Sequence, residues 1–313
     1  MSDATTANGP PRPNFFIVGA PKCGTTAMAD FLAQHPDVRM GPKELNFFCD
    51  DLFLDPARIR SEENYLSHYA DAGDVKVHGD GSVFYMVSGE AARRIHDWDA
   101  DAKILIHVRN PLEFLPSHHS QILFEGFEDL DDFEAAYDAE DDRAAGRRMP
   151  PKCPLRMILE YRRMAAFAEQ IERFQAVFPP DQVKIVLFDD FKADLPAVYR
   201  EVLEFLDIDP GFEAAFKVVN PNNRVRNKAL MDFMRETPEW VTRLSRIVMS
   251  ERMRNRLKWK IKRANTEFVK REPISPEFRA RLRRDIAPEV DKLGALLDRD
   301  LSHWLADKQG ASA

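Results

Sequence analysis

The chain has 313 residues, of which 44% are hydrophobic, and it carries a formal net charge of −7. This length and content suffice for a large core, while the acidic balance and the lack of a reader motif exclude nucleic acid as the expected partner. Its three cysteines have no metal-ligand spacing and an odd number, so we expect a reducing, cytoplasmic location and no metal.

The two ends of the chain set the predicted domain limits. Residues 1–13 are polar and proline-rich without the apolar core of a signal peptide, which predicts a disordered leader. No Ser/Gly linker divides the remainder, so residues 14–308 are predicted to form a single domain. No segment reaches the roughly 18 apolar residues that are needed to span a bilayer.

The first predicted strand, residues 14–19, runs into a glycine-bearing loop and then a helix over 25–35. Such a junction favours an anion, because backbone N–H groups are free there and the helix dipole is positive. The loop sequence from residue 19 is Gly-Ala-Pro-Lys-Cys-Gly-Thr-Thr. It is close to G-x-x-x-x-G-K-[ST], but Thr25 follows the second glycine and the lysine stands earlier, at Lys22. Taken alone, the loop also fits an ordinary turn between a strand and a helix.

A second strand and helix pair carries another anion-binding pattern. The strand predicted at 103–109 ends at Arg109, and Asn110-Pro111 start a helix over 111–124. Ser117 lies eight positions after the arginine, about two turns into that helix. A guanidinium and a hydroxyl placed in this way can converge on one dianion.

The remaining elements complete an alternating pattern. Further strands are predicted at about 74–78 and at 183–188, and further helices at 89–97, 155–178, 196–206 and 278–304. Alternation of strands and helices predicts an α/β fold, with a P-loop-like central parallel sheet and helices on both faces. Ligands then bind at the carboxyl ends of the strands.

Two segments are rich in charge. Residues 125–142 hold ten acidic side chains and are interpreted as a surface helix, a lid or a solvated face. Residues 243–271 hold eleven Lys and Arg residues. They fit either a solvated face or a basic amphipathic helix that contacts an anionic acceptor or a membrane surface.

Several motifs resemble those of sulfotransferases, which use 3′-phosphoadenosine 5′-phosphosulfate (PAPS). The loop spelling P-K-x-G-T-T resembles their 5′-phosphosulfate loop, and V-R-N-P with a serine eight residues after the arginine resembles their 3′-phosphate site. Residues 43–48, Lys-Glu-Leu-Asn-Phe-Phe, resemble the K-E-x-x-F-F segment of the carbohydrate-type members, which include the heparan and bacterial enzymes. The resemblance implies the sulfotransferase fold, PAPS as the sulfuryl donor without a metal, and a set of cofactor-binding residues: Lys22, Cys23, Gly24, Thr25, Thr26, Arg109 and Ser117.

The same resemblance suggests the other site residues. Lys22 is expected to meet charge on the leaving phosphate, and Glu44 of K-E-x-x-F-F is the expected base. His78 is the rival base, since Lys76-Val77-His78 echoes the K-x-H of cytosolic sulfotransferases. The family closes its 3′-phosphate site with a late basic loop, often R-K-G, which this chain lacks. Arg224, Arg226 and Lys228 are the nearest substitutes.

The predicted function is transfer of a sulfuryl group from PAPS to a hydroxyl, or to an amine, of a carbohydrate or another small or lipid-linked metabolite. A P-loop nucleotide kinase or NTPase is the alternative, in which Ile185–Asp190 would be the strand that supplies a magnesium ligand. A PAPS-binding module without catalysis is a third reading, which Val83 and Phe188 favour because they replace the family's usual proline and tyrosine.

Overall fold

Five parallel strands form the central sheet of the computed structural model, which describes residues 10–55, 61–71, 73, 75–216, 253 and 274–306 and the backbone of 223–225 and 266–268. The strands are β1 (Phe15–Gly19), β2 (Val38–Met40), β3 (Val77–Asp80), β4 (Lys103–Val108) and β5 (Val183–Leu187). Their order across the sheet is β2-β3-β1-β4-β5, and every neighbouring pair is parallel. A separate antiparallel pair joins β6 (Asn223–Val225) to β7 (Thr266–Phe268).

The sheet is buried on both faces, as its apolar strands require. In β1, Phe16 and Val18 belong to one core cluster, and Phe15 and Ile17 belong to a second cluster on the opposite face. This division follows from the alternation of side chains along a strand. The uninterrupted apolar runs of β1 and β4 therefore reflect a sheet that separates two cores.

Helices cover both faces, which confirms the predicted α/β architecture. They are α1 (Thr25–Leu32), α2 (Glu62–Ser67), α3 (Ala91–Trp98), α4 (Pro111–Glu125), α5 (Phe133–Asp138), α6 (Glu140–Ala144), α7 (Tyr161–Met164), α8 (Phe167–Gln175), α9 (Phe188–Ala193), α10 (Leu195–Phe205) and α11 (Pro276–Leu297). Residues of α3, α4, α8 and α11 fill the larger core, whereas α1, α9 and α10 pack on the other face.

The long helix predicted over 155–178 is wrong, because the structure breaks it into a 3₁₀ turn (Arg156–Leu159), α7 and α8. The start of α8 is capped from outside, since the Ala168 N–H donates to Glu289 of α11 at 2.7 Å. The Gln170 amide also donates to the carbonyl of Arg163 in α7, at 2.7 Å. These tertiary partners stabilise helix ends that the local periodicity does not reveal.

Two further boundaries differ from prediction. Strand β2 was not predicted; it has only three residues and its pattern is too short to recognise. The last helix ends at Leu297 and not at 304, because Asp298 adopts a left-handed conformation, φ 50°, that terminates α11. A 3₁₀ turn at Ser302–Trp304 follows it.

The acidic segment 125–142 is not a uniformly solvated face. The side chains of Glu128 and Arg143 are both fully buried and form an ion pair, with Arg143 Nη2 2.6 Å from Glu128 Oε1. The Tyr161 hydroxyl also donates to Glu128, at 2.9 Å. A buried charge needs such partners, so this glutamate belongs to the interior between α4 and α7.

The ends of the chain and its basic segment are described only in part. Residues 10–13 lie on the domain, where the Arg12 guanidinium is 3.7 Å from the Trp98 ring centroid and the Trp98 indole donates to the Pro13 carbonyl at 3.0 Å. Residues 1–9 lie outside the described residues, as does the segment 243–271 apart from 253 and 266–268. Among the described residues, no helix is both long and apolar enough to cross a membrane.

Candidate active site at the carboxyl ends of β1, β3 and β4

The loop after β1 forms an anion cradle at the start of α1. Gly24 precedes the helix with φ 90°, and a Cβ there would lie 3.2 Å from the Phe188 ring, so both backbone and space require glycine. No side chain among the described residues caps this helix end. The first N–H groups of α1, from Thr25 onward, are therefore available to an anion.

The cradle is attached to β4 by hydrogen bonds to His107. The Ala20 N–H donates to the His107 carbonyl at 2.6 Å, and His107 Nδ1 lies 3.2 Å from the carbonyl oxygen of Cys23. Burial raises the pKa of the Cys23 thiol to about 12 and lowers the pKa of His107 to about 4. Both side chains are therefore neutral near pH 7, and Cys23 can serve an anion only through its backbone.

The structure brings Arg109 to this loop. Its Nη1 donates to the Lys22 carbonyl at 3.2 Å, its Nη2 lies 2.6 Å from Glu113, and its guanidinium is 4.6 Å from the Phe188 ring centroid. Ser117 is buried on α4, one turn beyond Glu113. Residues four apart share a helix face, so Ser117 lies on the same face of α4 as Glu113, the carboxylate that pairs with Arg109.

Lys22 reaches the same face of α4. Its Nζ donates to the side-chain oxygen of Gln121 at 3.0 Å, and the Gln121 amide donates to Glu125 at 2.6 Å. Sequence reasoning missed Gln121, although its position one turn after Ser117 was a usable signal. We call the row Glu113, Ser117, Gln121 and Glu125 the α4 polar face; Lys22 of the phosphate loop contacts it through Gln121.

Glu44 lies on the loop after β2, beside the end of β3. Its backbone N–H donates to the Gly81 carbonyl at 3.1 Å, and its carboxylate accepts from the Val83 N–H at 3.3 Å. Burial raises the pKa of Glu44 to about 7; the Lys43 ammonium lowers that pKa, whereas Asp80 and Glu125 raise it. A carboxylate with a pKa near neutrality suits proton transfer.

A buried network fixes the Glu44 loop in place, and Asp80 is its centre. Three hydroxyls donate to this fully buried carboxylate, those of Tyr65 (2.8 Å), Tyr85 (2.7 Å) and Ser82 (2.6 Å). In turn, the Ser82 and Tyr85 oxygens accept from the backbone N–H groups of Asn46 and Phe47, each at 2.9 Å. The network thus joins the end of β3 to the loop that carries the expected base.

His78 does not reach the cradle in this structure. Its backbone exchanges hydrogen bonds with Asn14, from His78 N to Asn14 Oδ1 at 2.9 Å and from Asn14 N to the His78 carbonyl at 3.0 Å. The five steps along the chain from Asn14 to Gly19 span about 16 Å at the usual rise of a strand. His78 therefore lies near the amino end of β1, away from Lys22, so the fold favours Glu44 as the base.

The predicted late basic residues are described only in part. Arg224 belongs to β6, whose backbone packs near α4, and pairs with Glu267 in register; its side chain, Arg226 and Lys228 lie outside the described residues. Their role at the cofactor therefore stays a prediction. In the part of the chain that the structure describes, no group of His, Cys, Asp and Glu is arranged to hold a metal ion.

The 3₁₀ turn at Ser302–Trp304 packs against Asn110, the residue that follows Arg109. Asn110 caps α4 and donates to the Trp304 carbonyl at 3.1 Å, while the Trp304 indole donates to Asp189 at 2.6 Å. Asp190 pairs with Arg299 at 3.1 Å. Strand β5 ends before these aspartates, which lie in α9 and bind the tail. The strand Ile185–Asp190 that a kinase would need is therefore not formed.

Comparisons with known proteins agree with the motifs. A family model described as "Sulfotransferase domain" matches residues 12–294. Human heparan sulfate glucosamine 3-O-sulfotransferase 6 is 37% identical over 120 residues, which are 37% of this chain and 33% of that protein. Mouse heparan sulfate glucosamine 3-O-sulfotransferase 3A1 is 28% identical over 200 residues, 63% of this chain and 46% of that protein. The chain thus spans less than half the length of these curated relatives.

The fold is also found in a solved structure. A sulfotransferase from Alicyclobacillus acidocaldarius is 28% identical and superposes with a TM-score of 0.70, over 95% of this chain and 100% of that one.

Proposed function

Since this chain belongs to the sulfotransferase family, we propose that it transfers the sulfuryl group of PAPS to a hydroxyl, or to an amine, of an acceptor. The observation that carries the proposal is the meeting of two anion sites. The glycine-bearing loop before α1 contacts Arg109, which follows β4 and precedes the helix that carries Ser117, because the Arg109 guanidinium donates to the Lys22 carbonyl at 3.2 Å. A donor with a 5′-phosphosulfate and a separate 3′-phosphate requires two such sites.

The residues fit the two ends of this donor. The N–H groups of Thr25 and Thr26 and the Lys22 ammonium would bind the 5′ end. The Arg109 guanidinium and the Ser117 hydroxyl would bind the 3′-phosphate, with Arg109 exchanging its contact to Glu113 for the phosphate. A nucleoside with both groups is held at two points, which discriminates it from 5′-AMP.

The reaction moves a neutral SO₃ unit in line. The acceptor oxygen forms a bond to sulfur as the bond between sulfur and the bridging phosphate oxygen breaks, and 3′,5′-ADP leaves with the electron pair of that bond. Lys22 neutralises the charge that develops on this leaving group. Glu44 takes the proton of the acceptor hydroxyl, for which its pKa of about 7 is suited.

A carbohydrate hydroxyl is the acceptor class that we propose. The curated relatives are named as enzymes of heparan sulfate glucosamine, and they match part of this chain at 28–37% identity. The Glu44 loop, which contains the K-E-x-x-F-F motif, is held in place by the buried network around Asp80. A sugar hydroxyl has a high pKa, so transfer of the sulfuryl group to it depends on a base at the position of Glu44.

The test begins with nucleotide binding by titration calorimetry. We expect 3′,5′-ADP to bind more tightly than 5′-AMP and without Mg²⁺, whereas a preference for Mg-ATP would support a kinase and overturn the proposal. Labelled PAPS is then incubated with sugar, phenol and amine acceptors. Glu44→Gln should bind 3′,5′-ADP like the parent and lose about 10²–10⁴-fold in transfer to alcohols. Rates within a few-fold of the parent, with His78→Ala inactive, would assign the base to His78.

A further inference from the structure

Lys43, next to Glu44, makes a contact that the functions assigned so far do not use. Its ammonium donates to the hydroxyl of Thr26, in the first turn of α1. The side chain crosses from the Glu44 loop to the phosphate cradle beside Gly81, where a Cβ would lie 3.9 Å from Lys43 Cε. The base-bearing loop and the donor cradle, 17 residues apart in sequence, are thereby joined through one cation.

This contact places the Lys43 ammonium at the first turn of α1, beside the loop that would hold the donor. Its far end lies at the cradle, where the donor binds, and its backbone precedes the residue that would receive the acceptor proton. The group in transit must pass between the donor phosphate and that acceptor. Lys22 belongs to the cradle loop itself, and its ammonium contacts Gln121 on the α4 polar face. The two lysines therefore reach the cradle from different loops, Lys22 from the loop after β1 and Lys43 from the loop after β2.

Two carboxylates, Glu44 and Asp30, lie close enough to the Lys43 ammonium to affect its pKa. Lys43 is exposed as a residue; desolvation lowers the pKa of Lys43, while the carboxylates of Glu44 and Asp30 raise that pKa. A partly desolvated cation interacts more strongly with an anion than a hydrated one does. Sulfuryl oxygens of the donor provide such an anion.

We propose that Lys43 is a second catalytic cation, which binds the sulfuryl oxygens of the donor while Lys22 meets the leaving phosphate. The inference rests on the proposed function, because it requires PAPS in the cradle. The proposed role of Lys43 has a consequence that the proposed function alone does not have. Lys43 distinguishes a donor that carries the sulfuryl group from the product that lacks it, whereas Lys22 contacts charge present in both.

The test compares the binding of PAPS and of 3′,5′-ADP, without an acceptor, in Lys43→Met. We expect PAPS affinity to fall about 10-fold or more and 3′,5′-ADP affinity to change less than about 3-fold, since only PAPS offers sulfuryl oxygens. Lys22→Met should weaken both nucleotides. Lys43→Arg retains the charge and should recover most of the PAPS affinity. Lys292→Met, which removes a surface lysine paired with Glu172 at 3.0 Å, is the matched control.

The pH dependence of transfer gives an independent readout. Lys43 lowers the pKa of Glu44, while Asp80 and Glu125 raise it, so removing Lys43 should move the acid limb of the rate profile to higher pH. If Lys43→Met does not fold, Lys43→Gln carries the same expectation. Equal losses of PAPS and 3′,5′-ADP affinity, or no loss, would overturn the inference alone. A parent protein that binds neither nucleotide would overturn the proposed function as well.

Discussion

Glu44 should link stability and activity to pH in opposite directions. Its pKa is about 7 in the folded protein against an ordinary value of 4.5. The folded protein therefore retains a proton that the unfolded chain has lost between about pH 4.5 and 7, and stability falls as pH rises through this window. The difference corresponds to about 3 kcal/mol, fully expressed above pH 7. The transfer rate should rise over the upper part of the same window, because the ionised carboxylate is the base.

The assay compares urea unfolding of the parent with that of Glu44→Gln at pH 5 and at pH 8. Glutamine stays neutral, so the variant should gain stability relative to the parent as pH rises, by up to about 3 kcal/mol. Glu90→Gln, which removes an exposed carboxylate, is the matched control. A difference between the parent and Glu44→Gln that does not change with pH would refute the reasoning. So would a transfer rate that falls as pH rises from 6 to 7.5.

Three other substitutions test the site. Arg109→Ala should reduce the preference for 3′,5′-ADP over 5′-AMP by about 10- to 100-fold in calorimetry, since a charge-assisted bond contributes about 1.5–3 kcal/mol; an unchanged preference would place the 3′-phosphate elsewhere. Asp80→Asn should cost about 2–3 kcal/mol in urea unfolding, because three hydroxyls lose a charged acceptor, and a neutral effect would contradict the network. Gly24→Ala should weaken nucleotide binding, because φ is 90° and the Phe188 ring, 3.2 Å from the new Cβ, would have to shift; parent-like affinity in calorimetry would show that the cradle tolerates a side chain.

Local sequence was enough to predict the phosphate cradle. A strand followed at once by a glycine-bearing loop and a helix predicts free N–H groups at the start of that helix, because these groups lie within a few residues of one another. The attachment of the loop to His107 of β4, in contrast, is a tertiary contact. The same holds for Arg109, which follows β4, and for Ser117 on α4. These positions are fixed by spacing along one element.

The partners of the predicted residues could not be obtained in this way. The contact of Lys22 with Gln121 joins residues 99 apart, and that of Asn110 with Trp304 joins residues 194 apart. Nothing in the pattern of either segment specifies the other, because packing of the helices against the sheet brings them together. For this reason the aspartates after β5 fitted a kinase in sequence and bind the tail in the structure.

The choice between Glu44 and His78 as the base separates what the sequence determines from what only the tertiary structure determines. The sequence by itself determined that both are polar residues near predicted strands, and it determined the apolar β1 and β4 that make a buried parallel sheet. Only the tertiary structure decided that Glu44 lies at the carboxyl end of the sheet and His78 at the amino end of β1. The physical reason is register: parallel pairing of β1 with β3 sets His78 level with Asn14, and strand register depends on how separate segments pack rather than on either segment alone.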